Sequence, residues 1–168
     1  MSELQPKSKT ALYKEIERSF EGILHDKEIP WETALVSLIA LLKDSFETLS
    51  WVGFYRNVDR HLWVGPYQGK LACLHLKPGQ GVCGRALESE NSVLVEDVHQ
   101  FEGHVACDPL ARSELVVPVY RKLESGRTLV GVFDLDSHKA ANFDAEDQKS
   151  IERLLKAIER LPDAMSYS

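Results

Sequence analysis

The chain has 168 residues, 43% apolar and 27% charged, enough for one domain whose core needs no disulfide staple or structural metal. A net charge of −6 with no run of Lys or Arg argues against nucleic acid or anionic lipid as partner. No apolar stretch nears the roughly 20 residues of a membrane span, and the polar Met1–Thr10 lacks a signal-peptide core, so the expectation is a cytoplasmic protein with reduced thiols.

Leu12, Ile16, Phe20, Ile23 and Leu24 recur at helical spacing and predict a first amphipathic helix. Asp26 to Pro30 reads as a break. Trp31, Leu35, Leu38, Ile39 and Leu42 predict a second helix with Pro30 at its start. Residues 1–30 are thus an N-terminal helical segment and 31–162 the main body of one structural domain. Leu49–Tyr55 is strand-like, Asn57–Arg60 is a polar turn, and Leu62–Tyr67 returns as the second strand of a hairpin. Leu71–Leu76 is a shorter extended piece. Pro78-Gly79-Gln80-Gly81 is loop chemistry leading into a short helix, about Val82–Ser89. Ser92–Glu96 is a strand. Val98–Ser113 shows no period and reads as a long functional loop. Glu114–Arg121 and Thr128–Asp136 form a second hairpin around Glu124-Ser125-Gly126. Asp144 caps the last helix, and Asp147 three positions on makes an acidic variant of the capping box. This order predicts an α+β domain with a mostly antiparallel sheet and helices largely on one face. Gly79-Gln80-Gly81 lacks the Lys of a P-loop and the pattern of a dinucleotide fingerprint.

Three cysteines, Cys73, Cys83 and Cys107, cannot form a full disulfide framework. Each could be a small buried hydrophobe. Their spacing, even with His75, His99 and His104 added, fits no common zinc site, so no metal is expected. Redox chemistry suits them better: one thiolate attacks and another resolves the product. Cys107 has the most exposed context. Cys83 sits near a helix start, where the dipole lowers a thiol pKa. Asp108 beside Cys107 would act the other way. Trp51 and Tyr55, at i and i+4 in a strand, share one face and are either core packing or an aromatic wall for a small apolar group. Asp134 and Asp136 face one side at the end of an apolar strand. They are either a solvated strand end or a pair awaiting a cation, proton or polar ligand. Glu114 opens the preceding strand and approaches both if the strands pair.

Over about Trp31–Leu161 the chain resembles the free methionine-R-sulfoxide reductases. The resemblance is carried by Trp51-Val52-Gly53-Phe54-Tyr55, by Gly79-Gln80-Gly81-Val82-Cys83-Gly84-Arg85-Ala86 and by Gly103-His104-Val105-Ala106-Cys107-Asp108. Ser113-Glu114-Leu115-Val116-Val117-Pro118 and Gly131-Val132-Phe133-Asp134-Leu135-Asp136-Ser137 complete it, with all three cysteines at the family's positions. The resemblance implies a GAF domain, a homodimer, and reduction of the R epimer of free methionine sulfoxide in the defence against oxidative stress. It implies Cys107 as the attacking cysteine, Cys73 as the main resolving one through a Cys73–Cys107 disulfide, and Cys83 as an auxiliary thiol. Electrons would come from thioredoxin, with no bound cofactor. In that setting Glu114 and Asp136 are the candidate proton donors, Asp134 supports the cluster or the substrate ammonium, and Trp51 and Tyr55 enclose the S-methyl group. Val98–Ser113 is the candidate lid. The competing expectations are a GAF sensor for a small ligand and a thiol redox sensor without turnover.

Overall fold

The computed structural model describes residues 7–26 and 28–163. Most of the polar N-terminal stretch, residues 1–6, therefore lies outside the described residues, as do Lys27 and residues 164–168.

The elements follow in the order α1 (Lys9–Ile23), α2 (Trp31–Ser45), β1 (Trp51–Val58), β2 (His61–Gln68), β3 (His75–Leu76), α3 (Gly81–Ser89) and β4 (Val93–Val95). A 3-10 turn at Val98–Gln100, then β5 (Ser113–Leu123), β6 (Gly126–Ser137) and α4 (Ala145–Ile158) follow and complete the elements of the described residues. The six strands form one antiparallel sheet in the order β3-β2-β1-β6-β5-β4.

Alternation along the central strands sorts the side chains onto two faces. Val52 and Phe54 of β1, Leu115, Val117 and Val119 of β5, and Phe133 and Leu135 of β6 point to one face. There they meet the apolar stripes of α1, α2 and α4, including Phe20, Leu35, Leu38, Leu42, Ile151 and Leu155. Each fully buried side chain of this size contributes about 1.5–3 kcal/mol of hydrophobic stabilisation. The intervening residues Trp51, Tyr55, Val116 and Val132 point to the opposite face, where α3 packs through Val82, Cys83, Ala86 and Leu87. Three helices thus cover one face, as the sequence pattern predicts, and the short fourth helix leaves the other face partly open.

The capping box forms as read: the Asp144 carboxylate accepts from the N–H groups of Glu146 and Asp147, and Asp147 accepts from the Asp144 N–H. Asp147 also accepts from the buried Tyr13 hydroxyl at 2.7 Å and pairs with Lys9 at 2.5 Å, which ties α1 to the start of α4. The second hairpin is longer than the sequence suggests. Its strands reach Leu123 and Gly126 and leave a two-residue turn. The extended reading of Leu71–Leu76 shrinks to the two residues of β3. An edge strand has one neighbour, and only Leu62↔Leu76 and Trp63↔His75 pair.

Candidate active site

Cross-strand register builds the site. Trp51 on β1, Asp136 on β6 and Glu114 on β5 lie in one row across three strands. Gly53, Asp134 and Val116 form the next row. All the side chains of these rows project toward α3, so the three carboxyl groups converge beneath that helix. Glu114 and Asp134 are 7% and 6% exposed, deep for acidic side chains.

The aromatic wall stands beside them. Trp51 stacks on Tyr55 with ring centroids 5.8 Å apart and on Tyr67 at 5.2 Å. The sequence places Tyr67 at the end of the returning strand but not in the aromatic wall, because its position opposite β1 is set by a register shift between Gly53 and Tyr55. Gly53 is required for the stack: a methyl group there would run into the Trp51 ring and the Tyr67 side chain. The Tyr55 hydroxyl donates to the Cys73 carbonyl at 3.0 Å, and so ties the wall to the segment that carries Cys73.

These groups surround a pocket of about 570 Å³ including its open mouth. Trp51, Tyr55, Cys83, Cys107, Glu114, Asp134 and Asp136 all line it. Cys73, the remaining residue expected at the site, is joined to Cys107 by a disulfide whose Cα atoms are 5.3 Å apart. Cys107 is exposed and Cys73 half-buried. His104, Val105, Asp108 and Ala111 of the long loop and Lys70 also line the pocket. Asp108 accepts from His138 at 2.7 Å and lies 4.0 Å from Lys70, so its charge beside Cys107 is compensated.

Cys83 differs from the expectation of an activated thiol. It is buried in the second apolar cluster, and burial, followed by the nearby Asp134, Glu114 and Asp136, pushes its thiol well above the ordinary range. The helix start offers only a fraction of a charge, whereas the carboxyl groups sit directly against the sulfur, which donates to Glu114 at 3.9 Å.

The carboxyl groups themselves are displaced upward. Burial, then Asp134 and Asp136, raises Glu114 well above the ordinary carboxyl range. Burial, then Asp134 and Asp108, does the same for Asp136. Burial raises Asp134 to about 7, against hydrogen bonds with Cys83 and Glu114 that pull it down. Burial therefore favours the protonated forms of Glu114 and Asp136, while the Asp134 value lies near neutrality. One Asp134 oxygen, Oδ1, is buried without a hydrogen-bond partner, and so is the indole Nε1 of Trp51. Buried polar atoms of this kind cost about 1–3 kcal/mol when left unpaired, and here both belong to residues lining one pocket. The donor atoms of Cys83, Glu114 and Asp134 lie within 4.8 Å of one another and are the group among the described residues that could hold a metal ion. They number three, where a closed structural zinc site takes four ligands. A metal would also have to displace the protons that burial holds on them.

The GAF domain family matches residues 32–160 of the chain. The free methionine-R-sulfoxide reductase of Escherichia coli is 34% identical over 95% of this chain and 94% of its own length. The enzyme of the same name from Saccharomyces cerevisiae is 34% identical over 91% of this chain and 87% of its own. Among solved structures, the free methionine-R-sulfoxide reductase of Neisseria meningitidis in complex with its substrate superposes with a TM-score of 0.82. It is 35% identical over 95% of this chain and 93% of that one.

Proposed function

This chain belongs to the GAF domain family and to the free methionine-R-sulfoxide reductases within it, and we propose that it reduces free methionine-R-sulfoxide to methionine through Cys107. One observation carries the reading. The exposed Cys107 lines a pocket together with Asp134 and Trp51, whose carboxylate Oδ1 and indole N–H are both buried without a partner. An amino-acid sulfoxide brings the complementary groups, an ammonium for the first and an oxygen acceptor for the second. The Trp51 and Tyr55 rings then flank the S-methyl group. The Gln80 side chain accepts from the Lys77 N–H and caps none of the α3 N–H groups, so the first turn of α3 offers backbone N–H groups to the carboxylate.

In the proposed reaction the Cys107 thiolate attacks the sulfoxide sulfur. Glu114 and Asp136, whose protonated forms are favoured by burial and by the neighbouring Asp134, supply the proton that the departing oxygen needs. Methionine leaves and Cys107 holds the oxygen as a sulfenic acid. Condensation with the Cys73 thiol releases water and forms the disulfide. Thioredoxin returns both sulfurs to thiols, so no bound cofactor enters the cycle. Cys83 is an auxiliary thiol whose raised pKa suits hydrogen bonding to the carboxyl cluster better than first attack. The chain acts as a homodimer in the cytoplasm, in the defence against oxidative stress. Restriction to the free amino acid follows from the pocket: a peptide chain in place of the ammonium would leave Asp134 Oδ1 without a charged partner. A ligand sensor needs the pocket but not a cysteine pair at its mouth.

The test is NADPH consumption coupled through thioredoxin and its reductase, with each epimer of free methionine sulfoxide and with the sulfoxide inside a peptide. Turnover of the free R epimer alone is expected. Equal turnover of the peptide, or of neither free epimer, contradicts the reading.

A further inference from the structure

We propose that the leucines flanking the Cys73–Cys107 disulfide form the docking surface for a protein dithiol reductant, whose thiolate attacks at Cys107. The inference rests on the reading above, in which this disulfide forms once per turnover and must be reopened. Among the described residues six large apolar side chains are exposed, and the three most exposed are Leu71, Leu74 and Leu110, at 78%, 59% and 57%. Leu71 and Leu74 lie two residues before and one after Cys73, and Leu110 three after Cys107. Chain geometry at ~3.8 Å per residue keeps each within roughly 11 Å of a bridged Cα, and the bridge joins the two loops at 5.3 Å. The exposed apolar surface is thus concentrated around one disulfide, and exposed apolar surface gathered in this way marks an interaction site.

The centre of the patch says what covers it. A disulfide is opened by a thiolate, and a small thiol would need no apolar rim to reach an exposed sulfur. A protein with two vicinal thiols set in an apolar surface fits both features. The two sulfurs differ in access. Cys107 is exposed on an irregular loop, whereas Cys73 is half-buried and its carbonyl is held by the Tyr55 hydroxyl. The entering thiolate bonds to Cys107 Sγ, the S–S bond breaks, and Cys73 leaves as thiolate and takes a proton. The second thiol of the reductant loses its proton and attacks its partner's sulfur in the mixed disulfide. Cys107 is released as thiolate and takes the proton that the second thiol lost, and the reductant ends as a disulfide. Two electrons and two protons pass to the bridge.

The test uses the oxidised protein and its Leu74→Glu/Leu110→Glu variant. Leu71 is left intact because it also lines the pocket, and the other two do not. Release of two thiols per chain is timed with thioredoxin as the protein dithiol and with dithiothreitol as the small one. About a tenfold or greater fall with thioredoxin is expected, with the dithiothreitol rate within about twofold of the unmodified protein. A thioredoxin variant lacking its second thiol should be captured on Cys107. The proposal is overturned by an unchanged rate with thioredoxin, by an equal fall with both reductants, or by capture on Cys73. A loss of self-association in the variant, seen by sedimentation, also overturns it, because a second copy would then be what covers the patch. The readout is disulfide reduction and not sulfoxide turnover, so this inference and the proposed function fail separately.

Discussion

Glu114 and Asp136 stand directly opposite one another across β5 and β6, in register, on the face that lines the pocket. Burial, and after it the charge of Asp134, joined for Glu114 by Asp136 and for Asp136 by Asp108, raises both carboxyl groups well above the ordinary range and favours their protonated forms. In the proposed reaction they are the proton source. Glu114→Gln and Asp136→Asn preserve shape and hydrogen bonding but cannot release a proton. Each should lower kcat by about 10²-fold with KM little changed. Steady-state kinetics on both variants check this; a fall of kcat by less than about threefold in both would remove them from the chemistry.

Asp134 makes two opposite pH dependences. Its folded-state value of about 7 lies above the roughly 4 of an unfolded aspartate. The stabilising share of the protonated, buried form is therefore present in full below about pH 4 and is lost as pH rises through 7. Asp134→Asn should remove that loss, so the variant gains Tm over the parent between pH 5 and 8, by ~5 °C. Substrate binding runs the other way. The ammonium needs the ionised form, so the parent's KM should fall as pH rises through about 7, and Asp134→Asn should raise KM at least ~10-fold and flatten that profile. Calorimetry and KM measured across the same pH range read both effects.

Gly53 sets the position of the aromatic wall. Gly53→Ala forces the Trp51 ring away from Tyr67, and with it the surface proposed to meet the S-methyl group. A displaced ring should raise KM by about 10-fold or more, roughly 1–3 kcal/mol, the range that a misfitted apolar group costs. Trp51→Ala should do the same and also reduce the preference for the R epimer. Competition between the epimers measures the second effect. Unchanged selectivity in Trp51→Ala would separate the wall from epimer choice.

The Tyr13–Asp147 bond is far from the pocket and should affect stability alone. Burial and the neighbouring Asp147 hold the Tyr13 phenol protonated, and its hydroxyl meets the carboxylate at 2.7 Å. Tyr13→Phe leaves a buried acceptor short of a donor and should cost about 2 kcal/mol. For a chain of this size that is ~4–8 °C in Tm. The kinetic constants at 25 °C should be unchanged.

The carboxyl cluster was legible because it needs only alternation and hairpin pairing. Asp134 and Asp136 share a face in any strand, and a tight β5–β6 turn brings Glu114 across to them. The helices and the capping box followed from apolar spacing and from Asp144 and Asp147. Tyr67 was hidden by the shift in β1–β2 register, which no local pattern announces. The thiol at position 83 was misjudged for a related reason. The helix start is visible in sequence, but the acids that raise its pKa come from β5 and β6, about 30 and 50 residues away along the chain. The patch of Leu71, Leu74 and Leu110 has no sequence signature either, since scattered leucines read as core until their exposure is known.

The most direct test of the account is one turnover without a reductant. The fully reduced protein, Cys73→Ser and Cys107→Ser are each mixed with excess free methionine-R-sulfoxide, and methionine is counted per chain. One methionine per chain is expected from the reduced protein and from Cys73→Ser, the latter ending as a sulfenic acid, and none from Cys107→Ser. Methionine formed in full by Cys107→Ser would mean that the attacking sulfur lies elsewhere.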